Sequence, residues 1–466
     1  MKQGFLEWLD AQQSRQYELH ERYINPAFVK TIKTIGFDKA YVRGDGEWLF
    51  DAEGRRYLDL LTGWGVFALG RNHPRVRSIL EQVLSRDMPN LVRMDCSLLA
   101  GLVAEKLVQH VGGDLSSLSR VFFCNSGTET VEAAIKFARC HTRKSKIVFC
   151  DHGFHGLTMG SLAINGSDFF RERFGVLMPE TEKIPFNDLA ALEQALARKD
   201  TAAFVVEPVQ GKTCSVVADG FLAEAGRLCH KAGALLVVDE VQCGLGRTGK
   251  WFAFQHWPGV EPDIVCVAKA LSGGYVPVGA VIAAPRVMDS VFDSMERCVV
   301  HSNTFGQNDL AMAAALATLQ VMEEDQLPEN AARLGAQTIA RLTEIGRTCP
   351  FVYEVRGKGL MFGIDFRRPE GSLKLKAAWD ALHLLNEGVF SQTVILPLLH
   401  DHRVLAQVAG YHTELIKFLP PINIGEESLE YFLTAVEAVL SDLKRVPGSA
   451  WDTVRALAKG AAAQLR

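Results

Sequence analysis

The sequence predicts an α/β protein organised around a mostly parallel sheet with helices on both faces. Three observations lead there. From about residue 95 to 320, short and almost wholly apolar runs alternate with helical stretches, the pattern of parallel strands buried on both sides. These runs end on polar, glycine-rich or aromatic clusters, and open α/β sheets bind ligands beyond the carboxyl ends of their strands. A chain of 466 residues is long for one core and suggests two domains or one large domain with lobes.

The elements follow in order. The first 23 residues, MKQGFLEWLDAQQSRQYELHERY, lack the apolar core of a signal sequence and suit an amphipathic helix with Phe5, Leu9 and Tyr17 on one side. Residues 41–60 alternate turn signals ("GDGEW", "DAEGRRY") with short apolar runs, which predicts a small antiparallel meander. The alternation then begins: VFFC at 121–124 followed by the helical TVEAAIKFAR, KIVFC at 146–150, AAFVVEP at 202–208, the helix FLAEAGRLCHKAG ending on Gly233, ALLVVDE at 234–240 and DIVCVAK at 263–269. NDLAMAAALATLQVMEE, at 308–324, predicts a long helix. After residue 340, stretches such as FVYEVRGKGLMFGIDF read as an α+β lobe. In the tail 447–466, Trp451, Val454, Leu457, Ala461 and Leu465 approximate one helix face. That face would either pack on the protein's own surface or touch a membrane.

Composition narrows the function classes. With 48% hydrophobic and 22% charged residues the chain is ordinary for a globular protein. A formal net charge of −4 points away from nucleic-acid binding. No window is long and apolar enough to span a bilayer. The ten cysteines contain no C-x-x-C pair and several lie in apolar runs, so they read as reduced thiols of a cytoplasmic protein, with neither a disulfide frame nor a zinc site.

The strand ends carry the chemistry. Lys269 closes the run Ile264–Ala268. Burying an ammonium costs several kcal/mol unless it is paired or neutral, so this lysine either snorkels to water or is meant to be neutral and bonded. Ser126-Gly127-Thr128-Glu129 has capping-box spacing at a helix start, where free N–H groups favour an anion such as phosphate. Asp239 ends a wholly apolar strand and needs a cation or hydrogen bonds; a helix cap and the partner of a protonated ring nitrogen both fit. Phe154 stands in HGFHG, where the glycines allow a ring face to stand free, although a core phenylalanine fits too. His152 and His155 have no convincing metal spacing with other ligands, and no metal is expected. A phosphate site, an aromatic face, a buried aspartate and a neutral lysine together suit pyridoxal 5'-phosphate, whose aldehyde bonds a lysine amine and whose ring nitrogen pairs with an acid.

The motifs CNSGTETVEAAIKFAR, HGFHGLTMGSL, VVEPVQGK, VVDEVQCGLGRTGKWFAFQHW, PDIVCVAKALSGGYVPVGAV and HSNTFGQNDLAMAAALATL occur in order. They closely resemble the class III pyridoxal-phosphate aminotransferases, the group that includes ornithine, acetylornithine and putrescine enzymes, over roughly residues 30 to 445. The resemblance implies the fold-type I architecture and a homodimer with active sites at the interface. It implies a small domain from both chain ends (residues 1–90 and 336–446) and a large cofactor domain (91–335); the helical tail (447–466) is a further feature outside the resemblance.

Carried over residue by residue, the resemblance makes Lys269 the Schiff-base lysine and proton carrier. Asp239 becomes the partner of the ring nitrogen, Gln242 a neighbour of the ring hydroxyl, and Phe154 the stacking ring. Ser126, Gly127 and Thr128 hold the phosphate, His155 and Glu207 complete the cofactor pocket, and Thr304 reaches the phosphate of the neighbouring subunit. Gly63 and Trp64, in LLTGWGVFALG, line the substrate entrance. The reaction implied is transamination between an amino acid or terminal amine and an aldehyde or keto acid. A racemase, aminomutase or decarboxylase would use the same cofactor on the same fold. ALGRNHP and MDCSLLAGLVAEKL also resemble a subgroup associated with bacterial hopanoid lipids, which implies an amino-lipid product.

Two positions depart from the family. Many relatives carry an arginine before the "PP" near the C-terminus, which grips a substrate carboxylate, and a glutamate after EPxQG that pairs with it. This chain has Lys417 and Lys212 there. Lysine lacks the bidentate fork of arginine, and two like charges do not pair. Either the ornithine-type switch is lost and both lysines shape the substrate site, or Lys417 alone binds a carboxylate as a point charge while Lys212 faces solvent.

Overall fold

The computed structural model describes residues 4–92, 94–113, 116–384, 389–410, 413–445, 448 and 451. Its strands are β1 (Tyr41–Asp45), β2 (Trp48–Asp51), β3 (Arg56–Asp59), β4 (Arg120–Cys124), β5 (Lys146–Cys150), β6 (Thr181–Ile184), β7 (Thr201–Val206), β8 (Leu235–Asp239), β9 (Ile264–Val267), β10 (Gly279–Ala283), β11 (Val352–Lys358), β12 (Met361–Phe366), β13 (Val404–Leu405), β14 (Gln407–Val408) and β15 (Leu415–Phe418).

The central sheet has seven strands in the order β4-β10-β9-β8-β7-β5-β6. β6, β5, β7, β8 and β9 pair in parallel, while β10 runs antiparallel to both β9 and β4. Every residue of β7, β8, β9 and β10 is buried, as continuous apolar runs with helices on both faces require. The apolar side of helix Gly127–Thr142 (Val131, Ala134, Ile135, Ala138) packs on one face of this sheet, in a cluster with Ile147, Val205, Val237 and Cys266. Helix Phe221–Ala232 packs against β7 and β8 and stops at Gly233, whose φ of 66° is left-handed. Helix Asp309–Glu324, capped by the Asn308 side chain, packs on helices Pro74–Ser85 and Leu98–Val111.

Two four-stranded sheets flank this core. One, β1-β2-β3-β13, joins the two ends of the chain, since β13 pairs in parallel with β3. The other, β11-β12-β15-β14, is antiparallel. Helix Leu327–Arg347 lies on β11, and Gly335 meets the backbone of Gly359 so closely that a methyl group there would have no room.

The N-terminal segment differs from the single helix expected. It forms helices Phe5–Asp10 and Gln16–Tyr23 with a 3-10 turn, Gln13–Arg15, between them. The polar run AQQSRQ offers no apolar stripe to hold a continuous helix against the body. Phe5, Leu6, Trp8 and Leu9 are exposed, while Tyr17 donates its hydroxyl to the Lys39 carbonyl at 3.1 Å. At the other end Trp451 is only 4% exposed. It packs against the rings of Phe351 and Phe390, and its indole N–H donates to the Leu443 carbonyl. The first residue of the anticipated tail face is thus a core residue; Val454, Leu457, Ala461 and Leu465 lie outside the described residues.

Among the described residues no helix is long and apolar enough to cross a membrane, and no cluster of side chains could hold a metal ion. All ten cysteines are free thiols, seven of them buried.

Candidate active site

Lys269 follows β9 and opens a 3-10 turn, Lys269–Ser272, that ends on Gly273 and Gly274 with φ of 62° and 89°. Lys269 itself has φ 42°, an uncommon and costly conformation for a residue with a side chain. Its amine makes no hydrogen bond or ion pair among the described residues. Burial lowers its pKa, against the opposing charges of Asp239 and Glu207. The amine is therefore biased toward the neutral, nucleophilic form.

Asp239, at the end of the neighbouring parallel strand β8, is 3% exposed. One carboxylate oxygen accepts the Val241 N–H at 3.0 Å and the other accepts His155 Nδ1 at 2.7 Å. Burial disfavours the imidazolium of His155, but the hydrogen bond and charge of Asp239 outweigh it and raise the His155 pKa. Its other nitrogen, Nε2, is buried without a partner. Glu207, beyond β7, accepts the N–H of Phe154 at 2.9 Å and of Gly211 at 2.8 Å. Burial raises its pKa although the His155 charge opposes this.

The anion end of the site is helix Gly127–Thr142. Ser126 caps it by accepting the Glu129 N–H at 3.3 Å. The reciprocal bond of the capping box is shifted by one residue: Glu129 accepts the N–H of Asn125 at 2.7 Å. A side chain at Gly127 would strike Val241 at 2.7 Å and approach Ala268 at 3.6 Å, so the helix start lies against the segments carrying Asp239 and Lys269. Gly156, with φ 123°, lets the HGFHG loop pass over Thr128. The Thr128 hydroxyl lies 2.7 Å from those of both Thr158 and Ser161. These two partners went unnoticed in the sequence, although both stand in the same HGLTMGSL motif.

The remaining wall comes from the flanking sheets. Gln242 donates from Nε2 to the Trp64 carbonyl at 3.0 Å and accepts at Oε1 from Lys417 Nζ at 3.0 Å. Lys417, on β15, also donates to the Gly211 carbonyl. It is 5% exposed, and burial pulls its pKa down to about 8. Thr62, Gly63 and Trp64 all have positive φ (46°, 61° and 61°). Asp59 holds this strained turn through the N–H groups of Leu61 and Thr62, and it presents the half-exposed Trp64. Lys212 lies over the rings of Phe154 and Phe170, its Nζ 4.6 and 5.0 Å from their centroids. Phe170 is a further residue that sequence reading did not single out; its F-F doublet after Asp168 carries no signal of its own.

Thr304 is exposed on the loop before helix Asp309–Glu324. That loop is tied back by Asn303, which donates to the Phe123 carbonyl at 2.8 Å and accepts from Asn125 at 3.5 Å.

The family model for aminotransferase class-III matches residues 34–440 of this chain. The chain belongs to the class III aminotransferases. It is 40% identical to an acetylornithine aminotransferase of Methanopyrus kandleri, over 88% of this chain and 96% of that one. It is 33% identical to the aminotransferase PigE of a Serratia species, over 94% of this chain, and spans 55% of that longer protein. Its fold superposes on the ornithine aminotransferase of Toxoplasma gondii, whose structure holds pyridoxal phosphate at partial occupancy, with a TM-score of 0.77, 29% identity and coverage of 87% and 90% of the two chains. The cofactor of this aminotransferase is pyridoxal 5'-phosphate.

The residues of the aminotransferase fit that group. Lys269 offers an amine with no competing hydrogen bond. Asp239 has lone pairs left beyond its two donors. The capped helix start has free N–H groups for a phosphate, and Phe154 is a partly buried ring in the adjoining loop. Carboxylates, ring faces and lysines here match the ends and faces of a phosphorylated, protonated pyridine aldehyde.

Proposed function

We propose that this aminotransferase exchanges an amino group between a terminal amine and its aldehyde on one side and an amino acid and its keto acid on the other. The ornithine and acetylornithine names of its relatives support the ω-amine side. The observation that carries the assignment of roles is the unbonded amine of Lys269 beside the buried Asp239–His155 pair. Bound pyridoxal phosphate supplies an aldehyde that takes up the amino group and a protonated ring that accepts electrons from the substrate carbon. Lys269 would hold the group through its amine and would take the proton from that carbon, and burial biases that amine toward the neutral form that can accept a proton. Asp239 would hold the proton on the ring nitrogen, and the hydrogen bond from His155 keeps Asp239 oriented. Gly127, Thr128 and the cap Ser126 would receive the phosphate, Phe154 would cover a ring face, and Gln242 would be the neighbour of the ring hydroxyl. Glu207 anchors the Phe154 and Gly211 backbones.

We further propose a homodimer in which Thr304 reaches the partner's phosphate. A groove of about 1450 Å3, lined in part by Met88, Leu91, Leu98, Phe122, Val299 and Ser302, leads to that loop. Apolar side chains such as Leu98 and Val299 are exposed along it.

The test is single-turnover spectroscopy with glutamate, ornithine, putrescine and alanine offered one at a time. Stoichiometric conversion of bound cofactor to its pyridoxamine form by at least one of them, lost in Lys269→Ala, is expected. Turnover without that conversion would favour a racemase or decarboxylase. Conversion by Lys269→Ala at the wild-type rate would overturn the assignment of the lysine.

A further inference from the structure

The two lysines that replace the family's arginine and glutamate are not equivalent. Lys417 is already committed. Two of its three N–H donors go to the Gly211 carbonyl and Gln242 Oε1, inside the protein and away from solvent. Gln242 in turn holds the Trp64 carbonyl, so Lys417 ties strand β15 to the loop after β7 and to the Trp64 turn.

Lys212 is the opposite case. Its ammonium makes no hydrogen bond or ion pair among the described residues; the faces of Phe154 and Phe170 lie under it and the Glu207 charge acts on it from a distance. Ring faces attract a cation but leave its N–H donors unbonded. Glu207, whose charge acts on it, makes its hydrogen bonds to the N–H groups of Phe154 and Gly211 and none to Lys212. A partly buried ammonium with open donors, next to the ring expected against the cofactor, is a receptor for an anion.

We propose that Lys212, and not Lys417, anchors the carboxylate of the amino-acid or keto-acid substrate. This rests on the transamination reading above and deepens it. Lys417 is a positioning residue: it acts through Gln242 and the Trp64 turn. The carboxylate approaches the Lys212 ammonium from the side away from the touching rings of Phe154 and Phe170 and accepts two or three charge-assisted hydrogen bonds from it. Because the anchor is a point charge on a flexible stem, it tolerates carboxylates at different reach, where an arginine fork would demand one geometry.

The experiment uses the holoenzyme and its Lys212→Met and Lys417→Met variants. Glutarate, a dicarboxylate with no amine to react, is titrated by calorimetry. Reaction of the bound cofactor is then followed with glutamate and with pentan-1-amine, a five-carbon terminal amine with no carboxylate. For Lys212→Met the expected result is at least tenfold weaker glutarate binding and the same factor in half-saturating glutamate, with pentan-1-amine unaffected. For Lys417→Met, glutarate binding stays within about threefold, and the limiting rate falls alike with both amines. Glutarate binding that ignores Lys212, that depends on Lys417, or that is absent from the wild type overturns the anchor. An equal loss with both amines in Lys212→Met overturns it as well. A wild-type enzyme that binds glutarate through Lys212 but never converts its cofactor with any amine overturns the transamination reading and leaves the anchor standing.

Discussion

Lys417→Met makes a direct test of how the site's lysines are buried. In the folded protein burial draws the Lys417 pKa from 10.5 to about 8. A drop of about two and a half pH units corresponds to about 3 kcal/mol at 1.36 kcal/mol per unit. The sign follows from proton counts. Between pH 8 and 10.5 the unfolded chain keeps the proton that the folded chain has released, so stability climbs with pH across that window and is flat with respect to this group on either side. Methionine removes the climb. At pH 7 the substitution relieves about 3 kcal/mol of ammonium burial but leaves the Gly211 carbonyl and Gln242 Oε1 without a donor, at about 1–3 kcal/mol each. The two chains should thus be close in stability at pH 7. By pH 10.5 the wild type should have gained about 3 kcal/mol relative to the variant. Urea unfolding at saturating cofactor, read by tryptophan fluorescence at pH 7, 8, 9 and 10.5, measures the difference while cancelling every titration the chains share. Parallel stability curves, within about 0.5 kcal/mol over that range, would show that Lys417 is not buried as a charge and would remove the reasoning behind its assignment.

Two further perturbations probe the cofactor end and the chain terminus. Gly156→Ala would drive a methyl group into the Thr128 hydroxyl, 2.6 Å from its Cβ, at a φ of 123°; a strain of about 1–3 kcal/mol should weaken cofactor binding by roughly tenfold, measured by titrating the apoenzyme. Trp451→Ala should lower stability by about 3–5 kcal/mol, since the ring is buried against Phe351 and Phe390; an unchanged melting temperature would place this residue outside the core.

The central strands were legible because burial on both faces forces unbroken apolar runs. KIVFC is β5 to the residue, the runs 234–240 and 263–269 contain β8 and β9, and the runs 121–124 and 202–208 start one residue after β4 and β7 begin. β6, with sequence TEKI, was not, because an edge strand covered on one side carries little apolar signal. The antiparallel sense of β10 was also hidden, since a buried apolar run reads the same in either direction. The cap at Ser126 and the glycine stop at Gly233 rest on local hydrogen bonds and local backbone angles, and so show directly in the residues; Asn308, read as the first residue of its helix, is instead its cap.

By itself the sequence determined the fold class, the family and the strand ends at which chemistry is concentrated, for these follow from periodicity, burial and motif order along the chain. Only the tertiary structure decided which polar groups meet. His155 and Asp239 are 84 residues apart and share a hydrogen bond; Lys417 and Gln242 are 175 apart and share another. The different fates of Lys212 and Lys417, one open over ring faces and one consumed by a carbonyl and an amide, are set by strands and loops that come together only on folding. A lysine's charge is written in the sequence, but the partner that satisfies it, or leaves it free to bind, is a property of the packed space around it.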